Sequence, residues 1–260
     1  MRAIIACGQF TAAPGDPERN IRVMGEQAAE ARSLGAGIIV FPELCVPGYP
    51  SAAHAARLAV ALDSEEIGNL RTTARRERVA LCFGFAERTS GGSLHNSMAF
   101  VDQGGEVLAV YRKVHLWVSE RGWAREGDRF DCFAAGPLAL GMWICYDTRF
   151  PEAARAVALG GATLGLVGSA WFGPAEEWEL ALRARAMDNG MFVAGAALQG
   201  DFEGAEFRGA SLIVDPHGRV LAEGREGRDE VIAGEYDDEA VASFRKRLPL
   251  LGHRRPKAYA

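Results

Sequence analysis

The punctuation of the chain constrains its fold more than any other feature. Short β-rich apolar runs alternate with longer stretches of helical period, and Gly, Pro, Asp or Ser stands at nearly every junction. The first half predicts a strand over Ala3 to Gln9, then a helix opened by Asp16 and Pro17 and closed near Ser33 by Leu34 and Gly35. Asp can accept hydrogen bonds from the free amides of a first turn, Pro is tolerated at the first helical position, and Gly takes the left-handed closing conformation. A buried strand is expected at Gly37 to Phe41 and a helix from Ser64 to about Arg78. Strands Val79 to Glu87, Leu94 to Val101 and Glu106 to Arg112 follow, joined by glycine-containing turns.

The second half repeats the logic. Strand Leu138 to Ile144 precedes helix Pro151 to Leu159, and strand Thr163 to Ser169 precedes helix Ala175 to Asn189. Then come strand Phe192 to Ala197, a hairpin of Ala210 to Val214 with Arg219 to Ala222, strand Val231 to Glu235, and a helix at Asp238 to Arg247. Such alternation gives an α/β protein with helices stacked on the outer faces of its sheets. No Ser-, Pro- or charge-rich linker interrupts it, so residues 1–260 are expected to form one domain, with 245–260 as a C-terminal tail.

Charge and cysteine usage narrow the chemistry. With 29 basic against 34 acidic residues the net charge is -5, so the molecule as a whole has no electrostatic drive toward nucleic acid or an anionic membrane. The basic run Arg245-Lys246-Arg247 and the following Arg254, Arg255 and Lys257 read as a solvated or dimer-contacting tail. No stretch approaches the roughly 18 apolar residues of a membrane span, and the first apolar run is too short for a signal peptide. A cytoplasmic location is expected. The five cysteines, Cys7, Cys45, Cys82, Cys132 and Cys145, are odd in number and form no C-x-x-C pair, so neither a disulfide framework nor a zinc ribbon fits.

In open α/β folds, chemistry collects where strands deliver their carboxyl ends into a crevice. Three expected strands end in reactive side chains: Gly37 to Phe41 runs into Pro42-Glu43, Glu106 to Arg112 into Lys113, and Leu138 to Ile144 into Cys145. A thiol at a strand-to-helix turn faces a pocket, where nearby amides favour its thiolate. Cys45 is a second candidate because it lies two residues from Glu43, whereas Cys7, Cys82 and Cys132 read as core residues. A glutamate in an apolar setting has a raised pKa, which suits a general base, and a fixed lysine can stabilise an oxyanion.

These segments, in this order, resemble the carbon-nitrogen hydrolase (nitrilase) superfamily and its Glu-Lys-Cys triad. The matching stretches are Phe41-Pro42-Glu43-Leu44, Tyr111-Arg112-Lys113-Val114-His115-Leu116 and Ile144-Cys145-Tyr146-Asp147-Thr148-Arg149-Phe150-Pro151-Glu152. The likeness continues through Gly168-Ser169-Ala170-Trp171, Asp215-Pro216-His217-Gly218 and Arg247-Leu248-Pro249, and so covers essentially the whole chain. It implies a four-layer α-β-β-α sandwich that pairs through outer helices into a homodimer and sometimes assembles further. Glu43 would activate Cys145, and Lys113 with the Tyr146 backbone N–H would hold the oxyanion. A second glutamate, matched by Glu120 with Glu126 as the neighbouring alternative, would position the substrate. Tyr49, Trp171 and Phe172 would flank the pocket, and neither a metal nor an organic cofactor is implied.

Nitrilases of this superfamily generally follow the nucleophile with Trp-Glu, whereas this chain has Cys145-Tyr146-Asp147, which resembles the amidase branches. The resemblance therefore implies hydrolysis of a small, aliphatic carboxamide to acid and ammonia. Alternatives within the superfamily are an N-carbamoyl amide or a nitrile substrate, and from another class a catalytically silent binding subunit. A papain-like Cys145–His115 pair has little support, because His115 shares its strand-end segment with Lys113.

Overall fold

In a computed structural model, residues 1–50, 52–202 and 205–259 are described. Along the first half run β1 (Arg2–Gln9), α1 (Pro17–Ser33), β2 (Ala36–Val40), α2 (Ala52–Leu58), α3 (Glu65–Glu77), β3 (Ala80–Arg88), β4 (Leu94–Val101) and β5 (Val107–Arg112). The second half carries β6 (Cys132–Ala135), β7 (Leu138–Ile144), α4 (Pro151–Leu159), β8 (Leu164–Ser169), α5 (Ala175–Asn189) and β9 (Phe192–Ala197). It continues with β10 (Gln199–Phe202), β11 (Ala205–Arg208), β12 (Leu212–Val214), β13 (Val220–Glu223), β14 (Glu230–Asp237) and α6 (Asp238–Arg247).

The strands form two six-stranded sheets, ordered β14-β1-β2-β3-β4-β5 and β13-β12-β9-β8-β7-β6, with β10 and β11 pairing as a separate hairpin. Parallel pairs stand at the centre of each sheet, β1 with β2 and β2 with β3 in one, β7 with β8 and β8 with β9 in the other. Ile5, Val40, Met98 and Phe100 from the first sheet pack with Leu140, Met142, Ile144 and Leu166 from the second. The Cys82 and Met142 sulfurs lie 3.6 Å apart across that layer. On the outer face of the first sheet, Met24 and Ala28 of α1 and Ile67 and Leu70 of α3 pack on Ile39, Leu81 and Phe83. Ala153 and Val157 of α4 and Trp178 and Leu182 of α5 cover the second. The result is the four-layer α-β-β-α sandwich.

Local chemistry sets the boundaries. Asp16 Oδ1 accepts from Arg19 N at 3.0 Å and Ser64 Oγ from Ile67 N at 3.4 Å, capping α1 and α3. Four elements were not anticipated: α2, too short to display a helical period, β6, a four-residue edge strand, and β10 and β11, a hairpin in a polar stretch. β14 is longer than expected because it pairs with β1 along its whole length, from Arg2 opposite Asp237 to Gln9 opposite Glu230. The strand expected from Ala210 begins at Leu212, since Ala210 sits at φ 61, outside the extended region. Among the described residues, no helix is long and apolar enough to cross a membrane.

Candidate active site

The segment after β2 is pinned between the two sheets. Phe41 N donates to Cys82 O at 2.7 Å and Gly84 N to Pro42 O at 3.2 Å. A Cβ on Gly84 would lie 2.4 Å from Leu44 N and 2.7 Å from Glu43 Cα, and one on Gly168 would lie 3.0 Å from Glu43 N. Only glycine on both sides lets the backbone of Glu43 through. Its side chain is fully buried.

Strand register delivers the lysine. β4 and β5 pair antiparallel with Ser97 opposite Arg112, so the next residue, Lys113, comes opposite Asn96 and donates N–H to its carbonyl at 2.8 Å. Alternation turns Tyr111 and Lys113 toward the second sheet and Arg112 away from it, onto Glu87 at 2.7 Å. Glu120 opens a short 3₁₀ turn, where its Oε2 accepts from Trp117 N at 2.8 Å.

These side chains close a four-membered cage. Lys113 Nζ donates to Glu43 Oε1 at 2.6 Å and to Glu120 Oε1 at 2.7 Å. Asn96 Nδ2 donates to the same two oxygens, at 2.7 and 2.9 Å. One cation faces two carboxylates, all at most 2% exposed. Burial, with the Glu43 carboxylate adding to it against the pull of Lys113, pushes the Glu120 carboxyl up to about 7. Burial alone would lower the Lys113 pKa, but the two carboxylates outweigh it and hold the ammonium well above its ordinary value.

Cys145 arrives from the other sheet. It leaves β7 at φ 43, the left-handed region, and opens the 3₁₀ turn Cys145–Arg149. For a non-glycine residue that conformation costs about 1–2 kcal/mol. Asp147 holds the turn in place: its Oδ2 accepts from Ile144 N at 3.1 Å and Tyr111 Oη at 2.6 Å, while its Oδ1 accepts from His115 N at 2.9 Å. A single buried carboxylate thus ties the Cys145 turn to the Lys113 segment. Ala170, just past β8, touches both sides, donating N–H to Glu43 Oε2 at 2.9 Å and accepting from Cys145 Sγ at 3.4 Å. Burial, reinforced by the Glu43 carboxylate, pushes the Cys145 thiol up, so its resting form is the thiol.

Over Cys145 and Lys113 lies a cleft of about 20 Å³, walled by Tyr49, Trp117, Tyr146, Trp171 and Phe172, with Arg149 at its edge. Tyr49, Trp171 and Phe172 were expected in the cleft, Trp117 and Ala170 were not, and neither were the supporting roles of Asn96 in the cage and Asp147 in the Cys145 turn. Asn96 left a trace in the sequence, as the one polar residue on a strand face that continues Met98, Phe100. Glu126 is exposed, whereas Glu120 is in the cage. Cys45 lies on the far side of its loop, with Sγ 3.5 Å from Gly84 O and 4.0 Å from Met24 Sδ; burial pushes its thiol up to about 12. The His115 ring hydrogen-bonds Asp147 at 2.8 Å and stacks on Phe150 at 3.7 Å. A larger cavity of about 360 Å³ opens at the opposite end of the sandwich, beside Ile5, Phe100 and Leu138, and no cysteine or lysine lines it. Among the described residues, no group of three or more His, Cys, Asp or Glu is placed to hold a metal ion.

Residues 3–246 match the family model described as carbon-nitrogen hydrolase. The chain is 33% identical over 263 residues to a 2-oxoglutaramate amidase of Bacillus subtilis (strain 168), covering 100% of each. It is 32% identical over 245 residues to an omega-amidase of Homo sapiens, covering 89% of this chain and 87% of that one. Among solved structures it resembles an amidase from Nesterenkonia sp. AN1, a variant in complex with acrylamide, with a TM-score of 0.89, 29% identity, and coverage of 99% and 96%. A second variant of that amidase, which carries the acetamide moiety of fluoroacetamide on its active-site cysteine, matches with a TM-score of 0.88 at 30% identity, covering 99% and 95%. The sandwich, the cage of buried charges beside a cleft cysteine and these likenesses agree: the chain belongs to the carbon-nitrogen hydrolase family of the nitrilase superfamily and is an amidase-type hydrolase of carbon–nitrogen bonds.

Proposed function

We infer that the protein hydrolyses a small, aliphatic carboxamide to the carboxylic acid and ammonia through an acyl-thioester on Cys145. The observation that carries this reading is the Ala170 residue that links Glu43 to Cys145 while Lys113 sits between Glu43 and Glu120. Glu43 takes the thiol proton as the sulfur bonds to the amide carbon, a base being required because burial keeps the thiol protonated. The carbonyl electron pair moves onto oxygen, where Lys113 and the Tyr146 backbone N–H stabilise it. On collapse the C–N bond breaks, and nitrogen takes the proton from Glu43 and leaves as ammonia. Water then attacks the thioester and gives a proton to Glu43; the C–S bond breaks and the proton returns to sulfur. Glu120 positions the substrate amide beside Lys113.

The cleft of about 20 Å³ and its aromatic wall support a compact acyl group, for which Phe172, 38% exposed, is the side chain best placed to give way. Mass spectrometry of the protein mixed with formamide, acetamide, propionamide and butyramide is expected to find the matching acyl mass on the Cys145 peptide, with ammonia released. Turnover of a nitrile or an N-carbamoyl compound with none of these amides would overturn the substrate reading.

Free thiols fit a reducing, cytoplasmic setting. Leu159 on α4 and Leu180 and Met187 on α5 are 46%, 69% and 49% exposed, a cluster of apolar side chains on the outer helical layer that supports pairing with a second copy, with residues 245–260 contributing as a tail. Light scattering is expected to give the mass of a dimer or a multiple of it, and Leu180→Glu to shift it toward the monomer. A monomeric parent protein would reject this pairing.

A further inference from the structure

Asn96 sits at the middle of the cage and is buried among apolar neighbours on its own strand face, Met98 and Phe100. Its Nδ2 reaches Glu43 Oε1 and Glu120 Oε1, the same two oxygens that share Lys113 Nζ, so two donors and two acceptors alternate around a ring. The other oxygen of each glutamate is held by a backbone amide, Ala170 N for Glu43 and Trp117 N for Glu120. Asn96 Oδ1, by contrast, is buried with no hydrogen-bond partner. An unmet buried acceptor is unfavourable, and a leucine or methionine would continue the strand face without it. What the asparagine gives in return is a pair of uncharged N–H donors aimed at two like-charged carboxylates.

We propose that Asn96 is a positioning residue for the hydrolytic reaction, holding the Glu43 and Glu120 carboxyl groups on either side of Lys113 by donating to both without adding charge. The groups facing it are Glu43 from the segment after β2, Lys113 from the end of β5 and Glu120 from the 3₁₀ turn. Cys145 and Tyr49 are the next titratable groups around these. One ammonium cannot neutralise two carboxylates, and a further cation would hold Glu43 too firmly for it to accept the Cys145 proton. Neutral donors fix the orientation of both carboxyl groups while leaving the base free to work. Asn96 also fixes where Glu43 Oε1 lies, so Glu43 Oε2 remains turned to the Ala170 amide, whose residue also accepts from Cys145 Sγ.

The inference rests on the Glu43–Lys113–Cys145 reading and can fail separately from it. Asn96→Leu, close in volume, is expected to lower kcat for a short amide by about 10–100-fold, the usual range for a supporting hydrogen-bond partner, with KM changed less than about threefold. The acid limb of its pH–rate profile should move upward, because a hydrogen bond to the charged form is lost. Asn96→Asp can donate only when protonated and otherwise adds a third negative charge to the cage, so at alkaline pH it should lose kcat at least as far as Asn96→Leu. The rate of Cys145 alkylation by fluoroacetamide, followed by mass spectrometry at each pH, reads the same base in any variant that turns over too slowly. If Asn96→Leu keeps the parent pH profile, or if both variants lose activity only in proportion to folded protein measured by near-UV circular dichroism, Asn96 is structural and the proposal is overturned. Retained hydrolysis in Cys145→Ala would instead remove the reading beneath it.

Discussion

Cys145→Ala is expected to lower kcat/KM for a short amide by about 10⁴-fold or more while leaving the fold intact. Loss of a nucleophile that acts together with its base removes nearly all the chemistry the group performs. Nothing in the packing predicts a comparable loss of stability. The side chain is small, its bond to Ala170 O is long at 3.4 Å, and alanine is no worse suited than cysteine to φ 43. Truncating the thiol should cost about 1 kcal/mol, or a few degrees of melting temperature. Thermal unfolding and ammonia release measured on the same preparation check both halves. Activity above about 1% of the parent would assign the reaction to another residue, since contamination and residual binding effects fall well below that level.

Lys113→Met should lose activity to a similar degree and, unlike the cysteine variant, lose stability too. The substitution deletes the only cation among the described residues in contact with Glu43 and Glu120 and leaves both carboxylates buried against Asn96 and two backbone amides. Breaking a buried ion pair on one side costs about 3–5 kcal/mol, or roughly 10 °C in a protein of this size. The loss depends on pH in a fixed direction. In the parent, the Glu120 carboxyl titrates at about 7, above its ordinary 4.5, so between these values the folded state holds more protons than the unfolded one. Stability therefore falls as pH rises through that window. Without Lys113 the carboxyl is pushed further up and the window widens toward alkaline pH, so the melting temperature of Lys113→Met should drop more between pH 5 and pH 8 than that of the parent. Parallel pH curves for the two proteins would mean that Lys113 does not neutralise the cage.

What the sequence discloses is whatever short-range chemistry dictates. Asp16, Pro17 and Ser64 mark helix starts because caps act within one turn, and the four apolar runs that become β2, β7, β8 and β9 read clearly because central parallel strands are buried on both faces. Glu43 and Cys145 stand out for a related reason, each being a reactive side chain at the end of such a run, whereas Lys113 ends the half-buried antiparallel edge strand β5. Elements that exist only through partners do not show. β6 has four residues and no pattern of its own until β7 pairs with it, and β10 and β11 need each other. In the site, Asp147 was legible as part of a motif but not as the clamp on Tyr111 and His115, since those bonds span more than thirty residues. Asn96 is the instructive omission. A polar residue at an inward position of an otherwise apolar strand is a local signal, and reading β4 by alternating faces rather than as one apolar run would have exposed it.

The glycine pair around Glu43 makes the site a gauge of the gap between the sheets. Gly84 belongs to one sheet and Gly168 to the other, and the backbone of Glu43 passes between them with no slack, while Lys113 descends from the first sheet and Cys145 from the second. A small slide of one sheet over the other would be absorbed by side chains almost anywhere else in the interior. Here it moves Glu43 and Cys145, the proposed base and nucleophile, in opposite directions, so changes of shape in the shared core at Met98 or Met142 would reach the chemistry without touching either of them.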